Sequence, residues 1–221
     1  VILTYAQTEP GARGRGIAAF VVDAGADGFA RLPAYELMGG FSFGISGFTL
    51  DRVFVPDAGL LQPPGDGFKK ALRSVNEART YVAAMCCGMV QESLRLALGY
   101  LRGREAFGGP LLDKQGLRWL LADVATDLEA ARLLTYRAAD ALESEDDKAA
   151  ALHAAHAKKF AARVATARIL DCMQALGANG LKDEVPLGRH LAAAKMAHYA
   201  DGTTEIQNER IAALMAGAYG G

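Results

Sequence analysis

The sequence is poor in the residues from which metal clusters, disulfide frameworks and nucleic-acid faces are built. Three cysteines in 221 residues, two of them adjacent (Cys86 and Cys87), give neither a disulfide framework nor a zinc spacing. That usage fits a reducing compartment, and the cytoplasm is the expected location. Neither sign of charge is in excess: 24 Lys+Arg stand against 25 Asp+Glu, a net charge of −1. Without a basic surplus to neutralise a phosphate backbone, nucleic acid is excluded as the main partner. No apolar run approaches the ~20 residues that a helical membrane span requires. The opening residues are not expected to be a charged leader with a cleavage site. Val1–Tyr5 reads as a strand already under way, so the segment is expected to be a piece of something longer. Hydrophobic residues at 51% and charged residues at 22% exclude disorder. The length suits one large domain, or one modest domain with part of another attached.

Two periods divide the chain. Residues 1–62 hold short apolar runs cut by turn chemistry: Val1–Tyr5, Ile17–Val22 and Phe48–Val55, separated by clusters of Gly, Pro and Asp. Such runs predict strands joined by turns. Gly39-Gly40 and Gly44 thin out the third quarter of this segment and leave its pairing open. So few strands cannot bury both faces and need partner strands. From about Gly67 the period becomes helical. Leu117, Leu121, Val124, Leu128, Ala131, Leu134, Ala138 and Leu142 recur at three- and four-residue steps as one apolar stripe. Five helices are predicted, over 67–102, 112–143, 147–176, 187–199 and 203–218. Gly108-Gly-Pro110, the acidic run 143–147, and Gly177-Ala-Asn-Gly180 followed by Pro186 supply the breaks. Three helices of ~30 residues with short connections pack as an antiparallel bundle. The alanine-rich stretch 149–167 allows close helix approach, in the bundle interior or at a subunit contact.

Several residues carry candidate chemistry. His153 and His156 share a helix face at i and i+3, but no carboxylate or cysteine nearby supplies a third ligand, so no metal site is expected. Cys172 reads as a small core hydrophobe and Trp119 as a packing residue. The glycines of 177–180 follow a helix and do not join a strand to a helix, so they read as a helix stop, with a cofactor role open. Thr203 or Thr204 can cap the last helix, with Glu205 in its first turn. Asp201-Gly202 places a carboxylate on a bend, free to project into a cleft. Arg79 lies mid-helix among apolar neighbours, and a buried guanidinium needs a partner. Pairing Arg79 with the Asp201 carboxylate would satisfy both.

Four segments together resemble the acyl-CoA dehydrogenase family: Asp51-Arg-Val-Phe-Val-Pro56; Arg104-Glu-Ala-Phe-Gly108 with Gln115; Gln174-Ala-Leu-Gly-Ala-Asn-Gly180; and Asp201-Gly-Thr-Thr-Glu-Ile-Gln207. The resemblance implies a mainly α fold, an antiparallel helix bundle over residues 66–221, preceded by part of a β-barrel or sandwich, the middle β-domain, in residues 1–65. It implies FAD as cofactor and a homodimer or homotetramer in which the flavin bridges two subunits. Arg104, Phe107 and Gln115 are then expected at its pyrophosphate and adenine side across the dimer, and Gln174, Gly177, Ala178, Thr203 and Glu205 along its remainder. The implied reaction is α,β-dehydrogenation of an acyl-CoA thioester. Asp201 acts as base, with Asn76, Arg79 and Gly202 on the substrate side, and hydride leaves for flavin N5. Electrons then pass to an electron-transfer flavoprotein or similar acceptor.

The pattern departs from the family at several positions. Asp201 replaces the usual glutamate and is shorter by one methylene. The alternative base position before the helix arginine is Ala78, and Glu77 lies one residue further back. Ala178 stands for the second glycine of the Q-x-x-G-G turn, and Phe41 and Phe43 replace polar groups of a flavin-side loop. The N-terminal helical domain and the first half of the β-domain are expected elsewhere. An aspartate base also suits a nitroalkane oxidase-like flavoenzyme, and a non-catalytic flavoprotein subunit of a hetero-oligomer is a third reading.

Overall fold

The computed structural model describes residues 1–39, 44–65, 67–144 and 146–219. The chain divides into two compact units, Val1–Ser74 and Val75–Gly221.

The first unit carries two antiparallel sheets. Strands β1 (Ile2–Gln7) and β2 (Ile17–Val22) pair from Ile2↔Val22 to Gln7↔Ile17, and β5 (Leu60–Gln62) joins the other edge of β2. Alternation sets the faces: Ile2, Thr4 and Ala6 are half-buried while Leu3, Tyr5 and Gln7 are exposed. Strands β3 (Phe29–Ala34) and β4 (Ser46–Leu50) form a separate ribbon on which Phe29 and Phe48 stack at 5.7 Å. The expected run 48–55 ends as a strand at Leu50, because Arg52 takes a φ of 52° and turns the chain. Opposite this turn, Gly28 sits at φ 84°, where an added Cβ would lie 2.1 Å from the Asp51 carbonyl oxygen. Only glycine fits there. Phe41 and Phe43 lie outside the described residues.

The second unit is helical. Helix α1 (Gly67–Gly103) begins in the first unit and continues through the second, followed by α2 (Gln115–Leu142), α3 (Asp147–Leu176), α4 (Leu187–Ala197) and α5 (Thr204–Tyr219). Helix α3 is the central one, in contact with α2, α4 and α5. Its small residues allow this, since Ala150, Ala154, Ala157, Ala161 and Ala165 are all buried. The α2 stripe buries Leu121, Val124, Leu128, Ala131 and Ala138 in the same core. Cys172 is fully buried there, and burial pushes its thiol up to about 12. Asp146 caps α3 by accepting from the Lys148 and Ala149 N–H groups, and Gly177, at φ 59°, closes its other end. Trp119 corrects its expected packing role: it is 64% exposed on α2.

Candidate functional site

The connection between α4 and α5 is short and strongly held. Asp201 and Gly202 take consecutive positive φ values of 51° and 96°. Three buried side chains fix the main chain around them. Arg79 on α1 donates from Nε to the Asp201 carbonyl oxygen at 2.9 Å and from a terminal nitrogen to the Asn76 Oδ1 at 2.9 Å. Gln207 on α5 donates from Nε2 to the Gly202 carbonyl at 3.0 Å and the Asp201 carbonyl at 3.4 Å. Lys158 on α3 donates from Nζ to the Gly202 carbonyl and, at 3.4 Å, to that of His198. The structure corrects the expected ion pair: Arg79 holds the backbone of Asp201 and not its carboxylate. Among the described residues no hydrogen bond or ion pair engages that carboxylate, which leaves its lone pairs available to a ligand.

The charges around the turn follow from burial. Desolvation lowers the Arg79 pKa, Arg210 adds to the effect and the Asp201 carboxylate opposes it. Burial likewise lowers Lys158, with Arg79 adding and Asp201 opposing. His198, at the end of α4, lies between two threonines, 3.0 Å from Thr166 Oγ1 and 3.0 Å from Thr204 Oγ1. Burial pulls its pKa down, favouring the neutral ring. Thr203 Oγ1 accepts from the Ile206 N–H at 3.4 Å and so caps α5. Glu205 is exposed in the first turn, its carboxyl held below the usual range by its own main-chain N–H and the Thr203 hydroxyl. Glu77 is exposed and Ala78 is half-buried.

Arg104, Phe107 and Gln115 lie at the far end of α1. Residues 104–111 form a hairpin: Leu111 N–H donates to the Arg104 carbonyl at 2.8 Å, and Ala106 N–H to that of Gly109 at 2.9 Å. Phe107 and Gly108 take φ values of 53° and 83°, the two positive angles of a primed turn. Lys114 Nζ donates to the Phe107 carbonyl at 2.8 Å, and the Phe107 ring stands 91% exposed. Gln115 opens α2 beside it, and Trp119 follows one turn later on the same face. Gln174 and Ala178 are exposed at the end of α3, where Asn179 Nδ2 donates to Tyr100 Oη at 3.0 Å, one turn before Arg104.

One chain therefore brings Asn76, Arg79, Asp201, Gly202, Thr203 and Glu205 together. It brings Arg104, Phe107 and Gln115 towards Gln174–Ala178 at the other end. From Arg79 to Gly103 the helix rises about 36 Å, so the two groups do not converge within one chain. Among the described residues no group of three His, Cys, Asp or Glu side chains comes together as a metal site. Sequence reasoning missed Lys158, Gln207 and His198. For Lys158 a signal was present, because it occupies the register of the buried alanines 154, 157, 161 and 165 on α3.

Comparison with known proteins gives the same assignment from end to end. The family described as acyl-CoA dehydrogenase, C-terminal domain, matches residues 65–216. An acyl-CoA dehydrogenase of Bacillus subtilis is 35% identical over 217 residues, 98% of this chain and 57% of that protein. The butyryl-CoA dehydrogenase structure from Megasphaera elsdenii superposes with a TM-score of 0.90 at 30% identity, over 96% of this chain and 55% of that one. An FAD complex of PigA gives a TM-score of 0.90 at 25% identity, over 97% and 55%. The chain thus spans little more than half the length of the proteins it matches. With the family profile covering most of its helical part, the chain belongs to the acyl-CoA dehydrogenase family.

Proposed function

We propose that this chain is the C-terminal part of an FAD-dependent acyl-CoA dehydrogenase in which Asp201 removes the α-proton of the acyl thioester. Residues 1–65 are read as part of the middle β-domain and 66–221 as the helical domain. The observation that carries the reading is the Asp201–Gly202 turn. Its backbone is held by Arg79, Gln207 and Lys158, while the half-buried carboxylate has no protein partner among the described residues. A general base needs that combination of fixed position and free lone pairs.

The donor set fits FAD. Arg104 and the Gln115 and Gln174 amides are exposed, chemically suited to a pyrophosphate and ribityl chain, and the open Phe107 ring suits a planar heterocycle. Thr203, Glu205 and the N-terminus of α5 lie beside the base, where they would meet the flavin's other end. When bound, FAD supplies the hydride acceptor. Because the two groups lie at opposite ends of α1, each flavin is read as shared by two chains, hence a homodimer or homotetramer. An electron-transfer flavoprotein or similar acceptor reoxidises it.

Asp201→Asn in the full-length protein is expected to retain FAD while flavin reduction by acyl-CoA slows about 10²–10⁴-fold, the usual worth of a general base. Anaerobic stopped-flow bleaching of the flavin measures this. Unchanged reduction in Asp201→Asn overturns the assignment. Bleaching of the parent protein by nitroalkanes and not by acyl-CoAs moves it to nitroalkane oxidation. No bleaching by either marks a non-catalytic subunit.

A further inference from the structure

Lys158 is 1% exposed, the largest of the fully buried side chains, and it lies on the central helix of the bundle. An ammonium placed there is costly unless it is satisfied. Among the described residues no carboxylate lies within ion-pairing distance of it. Its hydrogen bonds go to two main-chain carbonyls, those of His198 and Gly202. The first belongs to the cap at the end of α4, where helix carbonyls lack intrahelical partners. The second belongs to the residue that follows Asp201. The ammonium thus ties together both ends of the turn that carries the candidate base. Arg79 reaches the Asp201 carbonyl from α1, so cations from two helices grip consecutive peptides.

The Asp201 and Gly202 carbonyls have donors besides this lysine. The Gly202 carbonyl keeps the Gln207 Nε2 donor at 3.0 Å, and the Asp201 carbonyl keeps Arg79. The core around residue 158 is supplied by alanines and by Cys86, and desolvation pulls the lysine's pKa down. A buried cation with only main-chain partners is what fixed geometry needs, and an apolar side chain of the same length would fill the space with less desolvation cost.

We propose that Lys158 is a positioning residue that sets the direction of the Asp201 carboxylate by clamping the His198 and Gly202 carbonyls. The inference rests on the reading of Asp201 as the base. It acts through geometry: misplacement by about 1 Å at a reacting group costs on the order of 10²-fold in rate.

The test is a double-mutant cycle in the full-length flavoprotein with Lys158→Met and Asp201→Asn, read by stopped-flow flavin reduction. Lys158→Met is expected to keep its FAD content and thermal midpoint. Reduction at saturating acyl-CoA is expected to fall by roughly 10–10²-fold, with KM changed less than about threefold. In the Asp201→Asn background the same substitution is expected to change the rate no further, since its effect passes through the carboxylate. Lys158→Gln, which keeps an N–H donor, is expected to recover part of the loss. If Asp201→Asn is slow but Lys158→Met reduces at the parent rate, the Lys158 proposal fails while the reading of Asp201 stands. If Asp201→Asn itself reduces at the parent rate, the reading of Asp201 fails first. Multiplicative losses in the double variant, or loss of flavin and fold in both lysine variants, make Lys158 a structural residue and overturn the proposal.

Discussion

Gly202 sits where conformation and space both demand glycine. Its φ is 96°, and an added Cβ would lie 3.1 Å from Gln207 Nε2, 3.2 Å from Ile206 Cγ2 and 3.4 Å from an Arg79 terminal nitrogen. Two of those three atoms belong to the groups that hold the turn. Gly202→Ala therefore has to strain the backbone and displace Arg79 or Gln207. A loss of about 1–3 kcal/mol in stability is expected. Flavin reduction should fall by at least an order of magnitude, as judged by thermal unfolding and stopped-flow measurements on the same variant. A neutral outcome in both would mean that the turn is not tightly held. Asp201, one residue earlier, shares the left-handed backbone without being glycine, and aspartate is among the few side chains that tolerate it. The turn motif singled out Asp201 and Gly202, and a guanidinium among apolar helix neighbours singled out Arg79; the structure brings the three together. Arg79's partner was not legible, since a pattern of letters does not separate a carboxylate acceptor from the carbonyl of the same residue. Lys158 was hidden for a related reason. Its register with the buried alanines was a signal, but a lysine in an alanine run reads as a surface residue until the α4–α5 turn is packed over it.

Helix α1 acts as a ruler, and on the proposed reading its length decides how many chains each flavin draws on. Arg79 and Arg104 are on one continuous element and its immediate exit, about 36 Å apart by helix rise. Arg104→Ala is accordingly expected to lower FAD occupancy and loosen the dimer together. A mixed dimer of Arg104→Ala and Asp201→Asn chains is the sharper measurement. If each flavin draws on both chains, one of the two sites receives an intact Asp201 from one chain and an intact Arg104 from the other. Activity then returns to about half the parent value per dimer, whereas a flavin served by one chain leaves the mixture inactive. The same long elements explain what could be read in advance. All five helices were placed to within three residues at each end, because a 3.6-residue period accumulates over many turns. The strands were not placed as well. β3 contains Arg31 and Pro33 and buries almost nothing, and β5 is three residues long, so neither leaves a period to detect.

Across the whole molecule the near-zero net charge conceals an uneven arrangement. The buried charged groups among the described residues are both cations, Arg79 at 4% exposure and Lys158 at 1%, and both belong to the helical unit. All four histidines are in that unit too, and burial lowers the pKa of each: His153, His156, His190 and His198. For His198 the nearby Lys195 and Lys158 add to the effect, while a hydrogen bond donated by the ring to the Ala162 backbone and the Glu205 carboxylate oppose it. The direction of the pH dependence follows. Unfolded histidine titrates near 6.5, and the folded rings titrate lower, so the unfolded chain binds more protons. Their contribution to stability is fully present above about pH 6.5 and is lost as pH falls through the folded values. The exposed carboxyls with lowered pKa, Glu92 and Glu205, act in the same direction but only below the ordinary glutamate range, which leaves the higher window to histidine. A difference measurement isolates one of the four. His198→Gln keeps hydrogen-bonding capacity towards Thr166 and Thr204 but cannot take up a proton. Its melting temperature is expected to fall less steeply than the parent's between pH 6.5 and 5, with the two curves converging on the acid side. Parallel curves over that window would mean that His198 is as easily protonated folded as unfolded, and that the ring does not need to stay neutral beside the Lys158 clamp.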